Sequence, residues 1–189
     1  MRTVALIGFL LLALKGQAFS VLPSTVTERR EITADSFPVP KNIKRMLFYV
    51  QRTPNINTII YELNVDEKGQ LNKSNPVHVF WIRYAEEGQQ QELSFIQRLY
   101  AYGLKTKDLG NNKYELRFVS YKKMPFYLYR SAHDNQFRTY ATIAKKEVLL
   151  KRIFLQIEGG TFWFPNVVYI EFTGIDPDTG KEIVERFKP

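Results

Sequence analysis

The sequence of 189 residues contains no cysteine and only two histidines, His78 and His133. The lack of cysteine excludes disulfide bonds, thiol catalysis, thiolate metal sites and the acylated cysteine of a bacterial lipoprotein. A closed metal site usually needs three or more ligands, so the two histidines would depend on carboxylates. We therefore predict no metal site and no cofactor.

Recognisable catalytic motifs are also missing. Neither Ser94 nor Ser120 lies in a G-x-S-x-G context, and the sequence has no glycine-rich phosphate loop. The acidic stretch 176–182 superficially resembles a calcium loop, but its glycine, Gly180, comes fifth rather than sixth. We interpret that stretch as a hairpin turn, and we name no catalytic residue.

No apolar run is long enough to span a membrane. The longest, Val4–Leu14, has 11 residues, whereas a spanning helix needs roughly 20. Arg2 precedes this run and Gly16–Ala18 follows it, which is the three-part pattern of a secretory signal peptide over residues 1–18. We predict cleavage near Ala18, a periplasmic or extracellular location, and no transmembrane segment after cleavage. A retained anchor or a buried helix is the alternative.

Basic residues outnumber acidic ones, with a formal net charge of +8 that falls to +6 without Arg2 and Lys15. The basic residues are spread along the chain rather than clustered, and an exported protein would not be located with nucleic acid. We therefore predict no nucleic-acid partner. Acidic polysaccharide or anionic lipid head groups would suit this charge. We favour a plain solvated basic surface as the explanation.

The organising stretch is Pro76–Leu104, and its first part, Val77–Tyr84, is largely apolar on both faces of an extended chain. This pattern predicts a strand covered on both sides, with Pro76 at its start. Upstream, residues 19–40 hold three prolines and no periodicity, which indicates an N-terminal arm. We expect residues 41–189 to form a single β-rich domain.

A helix follows this strand. Its apolar residues recur at helical spacing, and Gly103 stands where a left-handed C-terminal cap is expected. A helix of about three turns is unstable alone, so we predict that its apolar face lies on the sheet. The residues of that face are Leu93, Ile96, Leu99, Tyr100 and Tyr102.

Short alternating segments separated by turn signals make up the rest of the chain. Their number and spacing are typical of antiparallel sandwiches and barrels. We predict a mainly β fold, a single antiparallel β-barrel or sandwich of about eight or nine short strands, with one covering α-helix over residues 92–102.

Several phrases of the sequence resemble a bacterial family known as domain of unknown function 4833. The resemblance covers residues 40–189 and implies an exported or envelope protein. It implies no activity, cofactor or catalytic residue. The phrases are Pro54–Asn64, Asn75–Tyr84, Leu93–Arg98, Tyr100–Gly103, and Thr179–Gly180 followed by Glu185.

Aromatic residues make up 14% of the chain, and most of them are tyrosine and phenylalanine. They either fill the core or line a concave binding site, since ligand pockets are mainly apolar with a few polar groups. Arginines beside the central strand and helix could hold an anionic group. The candidate ligand-binding residues are His78, Trp81, Arg83, Arg98, Tyr102, Tyr127 and Trp163.

The leading functional hypothesis is an exported, non-enzymatic β domain that binds a small apolar or amphipathic ligand, or an envelope component. One alternative is an enzyme acting on an envelope substrate, with His78 and a carboxylate such as Glu62 as acid and base. Another is a structural or partner-binding protein that uses the aromatic loop Phe162–Pro165. The sequence leaves the ligand and the oligomeric state open.

Overall fold

A computed structural model describes residues 36–161 and 164–189. The predicted signal peptide, most of the predicted arm and Trp163 therefore lie outside the described residues. One sheet contains all the named strands of this part of the chain. The strands are β1 Met46–Arg52, β2 Thr58–Leu63, β3 Val77–Arg83, β4 Gln89–Glu92, β5 Leu104–Asp108, β6 Tyr114–Phe118, β7 Phe126–Arg130, β8 Phe137–Ile143, β9 Lys146–Gly160, β10 Pro165–Ile175 and β11 Glu182–Phe187, and the helix is α1 Phe95–Tyr100.

The 15-residue strand β9 holds the sheet together. Its residues 149–160 pair with β10 along one edge. On the other edge, residues 146–149 pair with β8 and residues 152–155 pair with β1. Two branches, β1 to β4 and β8 to β5, therefore leave the same edge of β9 and diverge.

The two branches pack their inner faces against each other. Phe48 of β1 stacks on Tyr61 of β2 with ring centroids 4.4 Å apart, and it also contacts Phe126 of β7 at 6.0 Å. Phe126 in turn lies 6.0 Å from Phe172 of β10. A continuous aromatic core thus joins both branches to the β10–β11 hairpin.

The prediction of a mainly β fold with one short helix is confirmed. The sheet is curled but is not a closed barrel, because within the described residues no ladder joins β4 to β5, the last strands of the two branches. Pairing is antiparallel throughout except between β1 and β9, which run parallel. Two short strands, β4 and β5, were not predicted because they are polar and mostly exposed.

Strand β3 is covered on both sides, as predicted. Val79 and Trp81 face the core between the branches, while Phe80 packs with Tyr49 and Ile60 on the opposite face. At the other end of the chain, the stretch predicted as a hairpin turn joins β10 to β11. There Asp176 accepts hydrogen bonds from the backbone N–H of Asp178 at 3.0 Å.

The start of the described chain also packs on the sheet. Phe37 is buried edge-on against Phe154 of β9, with ring centroids 5.2 Å apart. The side-chain amide of Gln51 donates a hydrogen bond of 2.7 Å to the carbonyl of Pro38. Between residues 36 and 189, leaving out 162 and 163, no helix is long and apolar enough to cross a membrane.

Candidate functional site

The helix α1 connects the terminal strands of the two branches, β4 and β5. The segment that follows it is fixed to both branches. The hydroxyl of Tyr61 in β2 donates to the carbonyl of Tyr102 at 2.8 Å, and the hydroxyl of Ser120 donates to the carbonyl of Ala101 at 2.6 Å. The helix is therefore held across the open side of the curled sheet.

A capping box begins α1. Ser94 accepts a hydrogen bond from the backbone N–H of Gln97, and the Gln97 side chain accepts one from the backbone N–H of Ser94. The indole N–H of Trp81 donates to that same side-chain oxygen of Gln97 at 3.4 Å. Local sequence thus starts the helix, and a core tryptophan fixes it to β3.

Two of the predicted ligand-binding residues meet beneath α1. The rings of Trp81 and Tyr102 pack edge to face with centroids 5.2 Å apart. The guanidinium of Arg52 lies 5.9 Å from the Tyr102 ring. Burial raises the pKa of the Tyr102 hydroxyl, and the Arg52 charge opposes that rise. Both aromatic residues serve as packing beneath the helix.

The outer side of α1 carries exposed apolar side chains. Phe95 exposes 76% of its surface, Tyr100 59%, Ile96 47% and Leu99 45%. The prediction that this face lies on the sheet is wrong for Ile96, Leu99 and Tyr100. Only the flanking residues Leu93 and Tyr102 pack into the core, because the helix ends after six residues. We call Phe95, Ile96, Leu99 and Tyr100 the apolar platform.

The expected left-handed cap at Gly103 is also absent. The φ angle of Gly103 lies outside the left-handed region. A Cβ atom at Gly103 would instead lie 1.9 Å from the carbonyl oxygen of Arg98. Glycine is required there because the chain passes close to the end of the helix.

A chain of charged groups lies beside the platform. The His78 ring nitrogens Nδ1 and Nε2 lie 3.1 Å from a Glu62 oxygen and 2.8 Å from a Glu92 oxygen. Glu92 also accepts a hydrogen bond of 3.3 Å from Arg98 on α1. His78 and Glu92 therefore link β2, β4 and α1 through side-chain contacts.

The remaining candidate residues lie elsewhere. Arg83 pairs with Glu86 and donates to Gln91 at 2.6 Å. Tyr127 is on β7, where the ammonium of Lys113 lies 5.4 Å from its ring. Trp163 lies outside the described residues. The seven predicted residues thus include one cluster near α1, formed by His78, Trp81, Arg98 and Tyr102.

In the aromatic loop, Phe164 exposes 83% of its surface. Its backbone N–H donates to the hydroxyl of Thr161 at 3.1 Å, and its carbonyl accepts from the Thr161 N–H at 3.0 Å.

Of the described residues, no group of three or more histidine, aspartate or glutamate side chains is arranged to hold a metal ion.

Comparison with protein-family models gives one match. The model described as domain of unknown function DUF4833 matches residues 48–186, most of the chain. This chain is a member of the DUF4833 family. The match includes α1, the platform and the Glu62–His78–Glu92 cluster, so these features lie inside the DUF4833 domain. No curated protein and no solved structure matches the chain.

Sequence reasoning missed two parts of this DUF4833 site. Glu92 was not paired with His78 because β4, a strand of three glutamines and one glutamate, has no apolar alternation. Phe95 was not placed on the helix face, although it lies one helical turn before Leu99. Its position directly after the capping serine, on the first turn of α1, was the available signal.

Proposed function

We propose that this chain is an exported, non-enzymatic β domain that binds an amphipathic lipid of the cell envelope at the apolar platform. The observation that carries this proposal is the exposure of four large apolar side chains on one six-residue helix. Contiguous exposed apolar side chains on a soluble fold mark a binding surface. Aromatic and aliphatic residues together suit the boundary between lipid head groups and acyl chains.

The support beneath the platform favours a fixed binding surface. Six residues cannot form a stable helix alone, so α1 depends on its capping box and on the contacts of Trp81, Tyr61 and Ser120. These contacts hold the backbone while the platform side chains stay exposed. Binding to a surface prepared in this way loses little conformational entropy.

Basic side chains are among the charged groups near the platform, which favours an amphipathic ligand over a purely apolar one. Lys105 and Lys107 are exposed on β5, directly after α1. Arg98 belongs to α1 itself, and its carboxylate partner Glu92 also contacts His78. A lipid with an acidic head group would meet cations beside the platform.

The packing of the core aromatic residues against one another supports a binding site at the surface. Phe48, Tyr61, Phe126 and Phe172 contact one another between the branches, and Trp81 packs on Tyr102. These rings supply the core, so a lipid chain would be accommodated beside the sheet rather than within it. The exposed helix is the surface that offers such a place.

Vesicle flotation tests the proposal. The protein would be mixed with vesicles of neutral phospholipid and of neutral phospholipid with added acidic phospholipid. The double variant Phe95→Ser, Leu99→Ser should lose binding by roughly tenfold or more, because each buried apolar side chain contributes about 1.5–3 kcal/mol. The control is Val184→Ser, which changes an apolar side chain exposed on β11. Equal binding of the double variant and the parent would refute the lipid proposal.

An enzyme acting on an envelope substrate is the second candidate. The observation in its favour is the 3.1 Å contact between His78 and Glu62, the acid–base pair expected for such chemistry. Both ring nitrogens already face carboxylates, so substrate would have to displace the exposed Glu92. With any substrate that is turned over, His78→Gln should abolish turnover, and unchanged turnover would remove this assignment.

A further inference from the structure

A groove of about 560 Å³ lies where the two branches of the sheet diverge from β9. Its wall on one branch comes from the start of β1, the end of β2 and the hairpin 65–71. Its wall on the other comes from Arg130 at the end of β7, the turn that follows it, and Asn112 before β6. This volume is within the range of small-molecule sites. None of its lining residues belongs to the apolar platform.

Five cations line the groove, and none of its lining residues is acidic. Three of them, Lys44, Arg45 and Lys73, are exposed, and their side chains form no hydrogen bond or ion pair with any other described residue. Like charges that converge without carboxylates repel one another and attract anions. The other two cations are Arg130 and Arg138.

The two arginines of the β7–β8 wall are held in position. Arg130 donates to the carbonyl of Asn135 at 2.7 Å, and its guanidinium lies 4.6 Å from the centroid of the Phe137 ring. Arg138 donates to a carboxylate oxygen of Asp134 at 2.6 Å. That hydrogen bond lowers the pKa of Asp134, so this carboxylate offsets part of the charge of Arg138. Arg130 has no acidic partner among the described residues.

The groove also has apolar walls. Leu63 and Leu71 pack against the main core from the β2–β3 side, and Phe137 is buried on the β8 side. Amide groups that can donate hydrogen bonds lie between the cations. These amide side chains are Gln70, Asn112, Asn135 and Gln136. An anionic ligand with an apolar portion would match both kinds of surface.

We propose that this groove binds a phosphate ester, with the phosphate held by Lys44, Arg45, Lys73 and Arg130 and the ester's apolar group packed on Leu63, Leu71 and Phe137. Phosphate carries up to two negative charges and accepts several hydrogen bonds. A phosphate ligand therefore suits a group of lysines and arginines better than a carboxylate ligand does. The ester could be a lipid head group or a soluble phosphorylated compound.

Calorimetric titration of the purified protein with hexyl phosphate tests the proposal. The triple variant Lys44→Gln, Arg45→Gln, Lys73→Gln should bind at least about tenfold more weakly, a loss of about 1.4 kcal/mol, because three charged hydrogen-bond donors to the phosphate are removed. The matched control is Lys68→Gln, an exposed lysine of the same hairpin that does not line the groove. Hexanol, which lacks the phosphate, should not bind.

Two further titrations separate the sources of the ester and the two sites. Tighter binding to short-chain phosphatidic acid than to hexyl phosphate would indicate a lipid head group, whereas equal or weaker binding would indicate a soluble phosphorylated compound. Phe95→Ser, Leu99→Ser should leave hexyl phosphate binding unchanged, so the groove can be confirmed even if the lipid platform fails. The proposal is overturned if hexyl phosphate does not bind, or if the triple variant binds it as the parent does.

Discussion

Tyr61 is the residue that joins the core to the segment after α1. Its ring is completely buried and stacks on Phe48, and its hydroxyl donates to the carbonyl of Tyr102 at 2.8 Å. Burial raises the pKa of this hydroxyl well above its usual value of 10.0. The folded protein therefore keeps Tyr61 neutral at pH values where the unfolded chain would ionise it.

This difference predicts a loss of stability in alkali. A pKa raised by folding contributes stability that is complete below pH 10.0, the unfolded value, and is lost as the pH rises above it. At neutral pH, Tyr61→Phe should lower the free energy of unfolding by about 1 kcal/mol through the lost hydrogen bond. The difference in free energy of unfolding between variant and parent should narrow above pH 10.0. Urea unfolding across this pH range measures this difference, and a constant difference would contradict the raised pKa of Tyr61.

Individual contacts could be predicted from the sequence only where neighbouring strands were recognised. Glu62 lies opposite His78 in the β2–β3 ladder, and both strands have clear apolar patterns, so the pair could be proposed. Glu92 completes the cluster from β4, which has no such pattern. A polar edge strand is specified by pairing with its neighbour rather than by its own residues.

At the scale of the elements, α1 shows how a very short helix can be fixed by its ends. The capping box starts it at Ser94, and the chain turns sharply after Tyr100 so that Gly103 passes close to the carbonyl of Arg98. This close approach brings Tyr102 under Trp81 and directs Leu104 into β5. The junction after the helix therefore determines where the apolar platform lies.

Gly103→Ala should disrupt this junction. The new Cβ atom would lie 1.9 Å from the backbone oxygen of Arg98, so the backbone must move, and overpacking of this kind costs about 1–3 kcal/mol or more. Gly88→Ala is the control, because Gly88 has a left-handed φ of 78° but open space around it and should lose only about 1 kcal/mol. Thermal unfolding compares the two. An equal loss would show that close packing at Gly103 is unimportant.

Periodicity predicted that α1 exists but not which of its faces is exposed. Leu93, Ile96 and Leu99 have the spacing of an apolar helix face. This spacing is the same whether the face packs on the protein's own sheet or is exposed to another molecule. In strand β3, apolar residues on both faces gave an unambiguous prediction of two-sided burial. The two predictions differ because β3 has two apolar faces that both need cover, whereas the helix has one apolar face and its spacing does not show what covers that face.

At the scale of the whole molecule, β9 determines the shape. One edge is shared by β1 and β8, whose first residues are 91 positions apart in the sequence. The sequence could indicate that each of these segments is a strand, but not that β1 runs parallel to β9. The proposed phosphate groove depends on this branching, because its cations come from distant parts of the chain and no local motif joins them.

The branched sheet should nevertheless unfold as one unit, because its two branches share a core. Phe126 of β7 is fully buried and contacts Phe48 of β1, Phe118 of β6 and Phe172 of β10. Phe126→Ala should therefore destabilise the entire protein by about 3–5 kcal/mol. Within each protein, circular dichroism of the β-sheet and tryptophan fluorescence should report the same urea midpoint. The midpoint of the variant should be lower than that of the parent.

A matched substitution separates this effect from the loss of any phenylalanine. Phe164 is exposed at the end of the β9–β10 hairpin, so Phe164→Ala should change the free energy of unfolding by less than about 0.5 kcal/mol. If Phe126→Ala produced two transitions, with fluorescence changing before the loss of sheet, then the two branches would fold separately. Because Phe48 and Phe172 would each lose a direct contact with Phe126, we expect both branches and the β10–β11 hairpin to be lost in one step.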